Sequence, residues 1–276
     1  LIVFEPYYDS YAAGVLVAHG RLKPVRLREP DWSFDPDELE TAVTSRTKVI
    51  LLNSPHNPTG KVFTRAELET IAAVAIRHDL IVITDEVYDR IIYSGHEHIP
   101  IALLPGMWER TLTVNSTGKT FSLTGWKIGY AIGPSHLQDG LRGVHQFVTF
   151  ATSTPFQVAM VEAMTTADER GYYDQLVVDY TRRRNLLANG LQQAGFDVLN
   201  IGGSYFLMAS LQQDRFANDN ELAKWLIEEI GVASVPPSSF YQEPWTAPFL
   251  LRFCFAKQDA TLNEAISRLA KVRSWL

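Results

Sequence analysis

Short apolar runs that alternate with amphipathic helical patterns predict an α/β protein with a mostly parallel central sheet and helices on both faces. Three observations lead to this fold class. Apolar and β-branched runs recur at 48–53, 80–84 and 111–114. Residues that typically start helices, Asp35 and Thr64, stand between the predicted strands. The apolar runs end in polar residues, as parallel strands do where they open onto a ligand crevice.

The first part of the chain supplies most of the predicted sheet. Its strands are short apolar runs closed by proline, glycine or polar clusters, at 1–4, 25–27, 48–53, 80–84, 111–114 and 127–132. Asp35 is predicted to cap a helix because proline occupies the first helical position and Glu38 follows. Thr64 and Glu67 form a second capping box, which opens a helix that reaches about His78. Further helices are predicted at 135–148 and 155–165.

The second part begins with a long helical pattern at 168–194, closed by Gly195. A helix of this length often bridges two domains. Strands are then predicted at 197–199, 204–209, 233–235 and 249–255, and helices at 220–230 and from Asp259. We therefore predict a large domain at 1–170, an interdomain helix at 171–195 and a small C-terminal α/β domain at 196–276.

Composition and charge argue against several classes of function. The 276 residues carry a net charge of −6 and no basic run longer than 182–184, so no nucleic-acid partner is expected. No apolar run approaches the roughly 18 residues that span a bilayer, so no membrane partner is expected either. Cys254 is the one cysteine, which rules out an internal disulfide and favours a reducing compartment.

Polar side chains that follow neighbouring predicted strands are expected to meet at one edge of the sheet. Asn57 lies in the turn after strand 48–53, Asp85 directly follows strand 80–84, and Lys119 comes shortly after strand 111–114. The carboxyl ends of parallel strands line one crevice, which is where open α/β sheets bind ligands. A lone lysine is more often a surface residue. The neighbouring polar groups make Lys119 a candidate for binding an anion or attacking a carbonyl.

Two other kinds of site have weak support. A plain nucleotide-binding α/β protein would be indicated by a GxGxxG or GxxxxGK[ST] motif, and the sequence contains neither. His96, Glu97 and His98 could suggest a metal site. Two histidines this close on a loop are more often solvated, and no third ligand has suitable spacing, so no metal is expected.

Five motifs, in order along the chain, resemble those of the class I/II aminotransferases. They are NSPHNPTGKVF from residue 53, ITDEVYDRI from 83, STGKTFS from 116, TGWKIGY from 124 and LRFCFAK from 251. These enzymes use pyridoxal 5′-phosphate (PLP) and share the aspartate aminotransferase fold, PLP fold type I. The series is most similar to the branch with kynurenine/glutamine, methionine and succinyl-diaminopimelate aminotransferases. The resemblance implies transfer of an amino group between an L-amino acid and a 2-oxo acid, with PLP bound in the large domain.

The resemblance assigns the central chemistry to three residues. Lys119 would form a Schiff base with PLP and, once released, carry a proton between substrate and cofactor. Asp85 would pair with the ring nitrogen and keep it protonated, so that the ring accepts electrons. Tyr88 would hydrogen-bond the 3′-oxygen of the cofactor, as would Asn57. The neighbouring His56 is expected to be structural.

The remaining cofactor contacts implied by the family surround the ring and the phosphate. Ser116 and Lys127 would bind the phosphate. Most enzymes of the aspartate type carry arginine at the Lys127 position, whereas lysine is usual in the branch named above and acts as a point charge. Tyr8 would stack on the pyridine ring.

Substrate binding is implied for Arg252, Asn57 and Tyr11. Arg252 stands in a strand that looks buried, and a planar guanidinium there suits the α-carboxylate of an amino acid. Tyr11 would line the substrate pocket. The loop at 236–248, which contains Phe240, Tyr241 and Trp245, is expected near that pocket.

Alternatives stay open for the completeness of the chain and for the reaction it catalyses. The family has a segment upstream of the match to residue 1, including a turn whose backbone amides bind the cofactor phosphate. We therefore expect the 276 residues to belong to a longer chain, and expect weak PLP binding and little turnover if that segment is truly absent. The same scaffold also hosts C–S β-lyases, decarboxylases and non-catalytic proteins. By resemblance the protein would be a cytoplasmic homodimer.

Overall fold

The computed structural model describes residues 1–212 and 215–275. In this part of the chain the strands, β1 to β9 in order, are Ile2–Glu5, Lys23–Arg26, Val49–Asn53, Ile81–Asp85, Thr111–Ser116, Gly129–Ile132, Phe196–Val198, Phe206–Leu211 and Leu251–Cys254. The α-helices, α1 to α9 in order, are Ser10–Val17, Pro36–Ala42, Arg65–Arg77, Thr117–Thr120, Ser135–Val148, Thr154–Ala167, Tyr172–Gln193, Asp219–Trp225 and Asp259–Leu269. Helix α8 continues into a π-helical turn, Leu226–Ile230.

The larger sheet has the strand order β2-β1-β3-β4-β5-β6. All neighbouring strands are parallel except β5 and β6, which confirms the predicted mostly parallel sheet. Strand β6 starts later than predicted because Lys127 adopts a left-handed conformation with φ of 55°. The parallel register sets Asn53 opposite Asp85, and Asp85 opposite Val114, at the carboxyl ends of β3, β4 and β5.

The two faces of this sheet are covered differently, because successive side chains of a strand point to opposite sides. On one face, Ile50 and Leu52 of β3 pack in the main core with the buried residues of α3. On the other face, Leu51 packs in a small cluster with Val3, and Tyr11 of α1 lies against it. Helix α1 itself contains no buried residue.

The smaller sheet is antiparallel, with the order β7-β8-β9, and the core beside it contains buried residues of α7, α8 and α9. The long helix begins at Tyr172, later than predicted, because Gly171 before it is left-handed. The predicted strand at 233–235 is wrong: only Val235 pairs, in a single bridge with Arg252. None of the helices described here is both long and apolar enough to cross a bilayer.

Three glycines connect the two sheets. The carbonyl oxygen of Gly60, in the turn after β3, accepts hydrogen bonds from the backbone N–H groups of Gly202 at 3.0 Å and Gly203 at 2.9 Å. A Cβ on Gly203 would lie 2.7 Å from Pro55 Cβ and 2.9 Å from the Ile91 carbonyl oxygen. The close approach of these segments therefore requires glycine at position 203.

We expect Gly203→Ala to lower the free energy of unfolding by about 1–3 kcal/mol, because the added methyl must displace backbone and a proline ring. Gly143→Ala in the exposed helix α5 is the matched control, since nothing lies within 4 Å of its Cβ position. That control should be neutral or stabilising by about 0.5–1 kcal/mol. Urea unfolding of both variants measures the difference, and equal stabilities would contradict the close packing.

Candidate active site

The carboxyl edge of the larger sheet is organised by Asn53, the last residue of β3. Its side-chain amide donates to the Asp85 carbonyl oxygen at 2.8 Å and to the Pro55 carbonyl oxygen at 3.1 Å. Its side-chain oxygen accepts from the backbone N–H of Asn57 at 2.8 Å. Asn53 therefore fixes the turn that presents Asn57. This role of Asn53 was not predicted from the sequence, although an asparagine ending an apolar run is a signal for it.

Asp85 ends β4 with a hydrogen bond to each carboxylate oxygen. The Tyr11 hydroxyl donates to Oδ2 at 2.5 Å, and the Val87 backbone N–H donates to Oδ1 at 3.2 Å. Burial raises the pKa of Asp85, while these two donors and the positive charge of Lys119 act to lower it. The structure thus places a partly buried carboxyl group within the field of the Lys119 amine.

Lys119 lies on α4, a single short turn that follows β5 directly. Ser116 caps this turn by accepting a hydrogen bond from the Gly118 N–H at 3.2 Å. The Lys119 Nζ atom is 5.9 Å from the ring centroid of Tyr88 and 6.0 Å from that of Tyr205. Within residues 1–212 and 215–275 this amine makes no hydrogen bond or ion pair, so it is available to a ligand.

Tyr88 and Tyr205 form an aromatic wall beside the lysine. Their rings meet edge to face, with centroids 5.0 Å apart, and Tyr88 is only 2% exposed. Burial raises the pKa of Tyr88 well above its usual value, and Tyr205 adds to the effect, so the phenol stays protonated and able to donate. Tyr205 was not identified from the sequence. The only signal is the Gly202-Gly203 pair before a run of aromatic residues.

Arg252 of β9 approaches the same edge from the smaller sheet. Its guanidinium carbon lies 4.0 Å from the Phe206 ring centroid and 4.8 Å from that of Phe240, and Nη1 donates to Asn57 Oδ1 at 2.7 Å. Its Nε is buried without a hydrogen-bond partner, and burial lowers the pKa of the guanidinium. A desolvated cation with an unused donor is suited to an anionic ligand such as a carboxylate. Phe240 brings loop 236–248 to this point, whereas Trp245 is 80% exposed.

Contacts and electrostatic interactions connect the candidate residues in a continuous series. Tyr11 bonds Asp85, and the charge of Lys119 partly opposes the burial that raises the pKa of Asp85. The Lys119 amine faces Tyr88, and the charge of Arg252 partly opposes the burial that raises the pKa of Tyr88. Arg252 then bonds Asn57. The structure therefore brings these six candidates into one site.

The other three candidates lie at its margin. Lys127 is exposed in the turn before β6, and the hydroxyl of Ser116 already serves as the cap of α4. Tyr8 is 42% exposed, and its ring meets the Tyr11 ring edge to face at 5.6 Å. Tyr8 therefore joins the site through Tyr11, and in the described part of the chain neither Ser116 nor Lys127 makes a hydrogen bond or ion pair with Lys119.

Two nearby ionisable residues have internal partners. His56 bonds Thr59 through Nδ1 at 2.8 Å, and burial together with the charge of Lys61 lowers its pKa to about 3, so it is a neutral structural residue. Glu86 points away from Asp85 and pairs with His98 Nε2 at 2.9 Å. Across the described residues, no group of three His, Cys, Asp or Glu side chains could hold a metal ion.

Comparisons of the chain with a family model, with known sequences and with solved structures agree on one family. The model for "Aminotransferase class I and II" matches residues 1–269. Kynurenine–oxoglutarate transaminase 1 of Homo sapiens is 39% identical over 300 residues, covering 98% of this chain and 71% of that protein. The Dictyostelium discoideum kynurenine–oxoglutarate transaminase is 38% identical over 308 residues, covering 99% of this chain and 71% of that protein. The solved N-succinyldiaminopimelate aminotransferase of Mycobacterium tuberculosis superposes with a TM-score of 0.92 at 40% identity, covering 98% of this chain and 71% of that one.

His56 is expected to make stability depend on pH. The unfolded chain binds a proton on this residue below about pH 6.5, whereas the folded chain, with a pKa of about 3, does not. Between those values protonation favours the unfolded state, so the free energy of unfolding falls as pH falls, by at most about 1.4 kcal/mol per pH unit.

Urea unfolding of wild type and His56→Gln at several pH values measures this contribution. The stability advantage of wild type over the variant should shrink as pH drops from about 6.5 toward 4. An advantage that stays constant over this range would show that His56 titrates equally in both states.

Proposed function

The chain belongs to the class I and II aminotransferase family, and we propose that it uses PLP, held through Lys119, to move an amino group between an L-amino acid and a 2-oxo acid. The observation that carries the proposal is the unpartnered amine of Lys119, which faces Tyr88 and lies in the field of Asp85. A free amine beside a partly buried carboxyl group and a protonated phenol has the donor set that PLP requires.

The protein side chains supply binding and proton transfer. PLP, when bound, contributes an aldehyde that exchanges amino groups and a ring that withdraws electrons. Lys119 would hold the cofactor and then move a proton at the substrate Cα, which needs the neutral amine for part of the cycle. Asp85 would accept a hydrogen bond from the protonated ring nitrogen. Tyr88 and Asn57 would donate to the ring oxygen.

We assign the marginal residues to the outer parts of the cofactor. Tyr8 would stack on the ring, since its exposed aromatic face stands next to Tyr11. Ser116 and Lys127 would bind the phosphate, Ser116 through its hydroxyl and Lys127 as a point charge.

Arg252 would bind the α-carboxylate of the substrate, with Asn57 holding one arm of the guanidinium in place. Its two aromatic neighbours, Phe206 and Phe240, keep water away and strengthen the charge interaction. Tyr11 would line the pocket on the opposite side. Names of similar proteins indicate donors to test first: kynurenine, N-succinyldiaminopimelate and methionine.

We further propose a cytoplasmic homodimer, with the chain divided into a PLP-binding domain at 1–170, an interdomain helix at 171–195 and a small domain at 196–276. Self-association is supported by exposed apolar side chains at the end of α5, where Phe147 is 85% and Val148 is 78% exposed. The single cysteine, which permits no internal disulfide, supports the cytoplasm.

Lys119→Ala should abolish transamination in the full chain, with a loss of at least about a hundredfold to ten-thousandfold, because it removes the amine that faces Tyr88 and lies in the field of Asp85. A donor panel with 2-oxoglutarate and pyruvate as acceptors measures activity. Borohydride reduction followed by peptide mapping should find the cofactor on the peptide with residue 119.

The matched control is Lys224→Ala, an exposed lysine of α8 paired with Glu228, which should keep wild-type activity. Turnover by the Lys119 variant would contradict the assignment. Release of pyruvate from a sulfur-containing amino acid, without transfer to a 2-oxo acid, would instead identify a C–S β-lyase.

Arg252→Lys should lower kcat/KM for amino acids by about 10- to 100-fold, since lysine cannot form the two parallel bonds of a guanidinium. The loss should appear mainly as a raised KM. Amines that lack the α-carboxylate are the internal control: their slow reaction should change little. An equal loss for acids and amines would show that Arg252 acts on something other than the carboxylate.

A further inference from the structure

Tyr11 and Asp85 are joined by the shortest hydrogen bond in the candidate site. The phenolic hydroxyl donates to Oδ2 at 2.5 Å, a distance typical of bonds from a hydroxyl to an ionised acceptor. The other oxygen, Oδ1, accepts from the Val87 backbone N–H at 3.2 Å. With one donor on each oxygen, the carboxylate is fixed in orientation. Further lone pairs on each oxygen remain free for a ligand.

The position of Tyr11 follows from the alternation of β4. Ile83 pairs in register with Leu51 of β3, and Asp85 follows two positions later on the same face. That is the face where Leu51 packs with Val3 and where Tyr11 of α1 lies. Because α1 crosses this face near the carboxyl end of β4, its tyrosine reaches the carboxyl group from outside the sheet.

The bond also accounts for how α1 is held. Helix α1 has no buried residue and no side-chain cap, and Leu16 and Val17 at its end are 74% and 81% exposed. Within the described chain, Tyr11 makes the one side-chain hydrogen bond of this helix. The bond to Asp85 therefore ties this weakly packed helix to the carboxyl end of β4.

From this geometry we propose that Tyr11 is a positioning residue for Asp85: its hydroxyl aims the carboxylate and keeps it ionised, so that Asp85 can hold a protonated ring nitrogen. The inference rests on the proposed use of PLP. It gives Tyr11 a role toward the cofactor, in addition to lining the substrate pocket. An ionised carboxylate holds a pyridine-type nitrogen in its protonated form, whereas a neutral carboxyl group does not.

The charges around Asp85 support this role. Burial raises its pKa, and the Tyr11 bond is the largest influence in the opposite direction, followed by the Val87 N–H and the charge of Lys119 on α4. Glu86, the next residue, raises the pKa. The pKa of Tyr11 is itself well above its usual value through burial and the Asp85 charge, so the phenol remains a donor at neutral pH. Without the Tyr11 hydroxyl, less would oppose the effect of burial, and the pKa of Asp85 would be higher.

The test compares Tyr11→Phe with Tyr93→Phe in the full chain. Tyr93 is the matched control, because it also loses a buried tyrosine hydrogen bond, to the Ser204 carbonyl oxygen at 2.7 Å, away from Asp85. The first readout needs no cofactor: NMR titration of ¹³C-labelled aspartate carboxyl groups, with Asp85→Asn used to assign the signal. Tyr11→Phe should raise the pKa of Asp85 by about one unit, and Tyr93→Phe should leave it unchanged.

The second readout is PLP affinity by equilibrium dialysis. Tyr11→Phe should raise the Kd about tenfold, and the ratio of variant to wild-type Kd should be larger at about pH 5.5 than at about pH 8, because protonation of Asp85 competes with binding more strongly at low pH. An unchanged Asp85 pKa, or a changed KM for amino acids with an unchanged PLP Kd, would overturn the inference. Failure of wild type to bind PLP would overturn the proposed function and with it the cofactor role of Tyr11.

Discussion

The parallel register of β3, β4 and β5 is the constraint on which the site depends. It sets Asn53 beside Asp85 and Asp85 beside Val114, so that three loops leave the sheet at one edge. Backbone bonds extend the register beyond the strands: Ser54 N–H donates to the Asp85 carbonyl oxygen at 3.1 Å, and Glu86 N–H to that of Val114 at 2.9 Å. A slip of one residue would turn Asp85 to the opposite face, into the apolar core with α3.

The site also keeps two opposite charges apart, the carboxylate of Asp85 and the guanidinium of Arg252. Asp85 lies on the larger sheet with hydroxyl and N–H donors, and Arg252 comes from the smaller sheet with a neutral amide, Asn57, as its partner. Neither is neutralised by a direct ion pair with the other. Buried charges kept apart in this way favour ligands that carry both signs, as an amino acid and a pyridine phosphate do.

Local signals made much of the fold predictable. The capping box of Thr64 and Glu67 is present with both bonds, because it needs only neighbouring residues. The parallel sheet followed from alternating strands and helices. The strand at 233–235 was mispredicted because the short run Ala233-Ser234-Val235 does not reveal how many pairing partners it will have, and Val235 finds only one. The start of α7 was placed too early because a left-handed glycine leaves no mark on hydrophobic periodicity.

The sequence predicted which residues form the site, but it did not predict which of them contact each other. The motifs supplied Lys119, Asp85 and Arg252, but the bonds that orient them span 74 residues from Tyr11 to Asp85 and 195 from Asn57 to Arg252. No local pattern specifies such pairs. Tyr205 was missed for the same reason: its partners, Tyr88 and Lys119, become neighbours only when the two sheets meet. The roles of Lys119, Asp85 and Arg252 toward a cofactor and substrate stay proposals.

The meeting of Gly60 with Gly202 and Gly203 has a mechanical consequence. Two bonds to one carbonyl oxygen fix the sheets at a point close to Asn57. Arg252 of the smaller sheet bonds the same turn, at Asn57 Oδ1. The turn after β3 is thus attached to the smaller sheet by main-chain bonds as well as by the guanidinium, so the alignment of Arg252 with the carboxyl edge of the larger sheet does not depend on its own side chain alone.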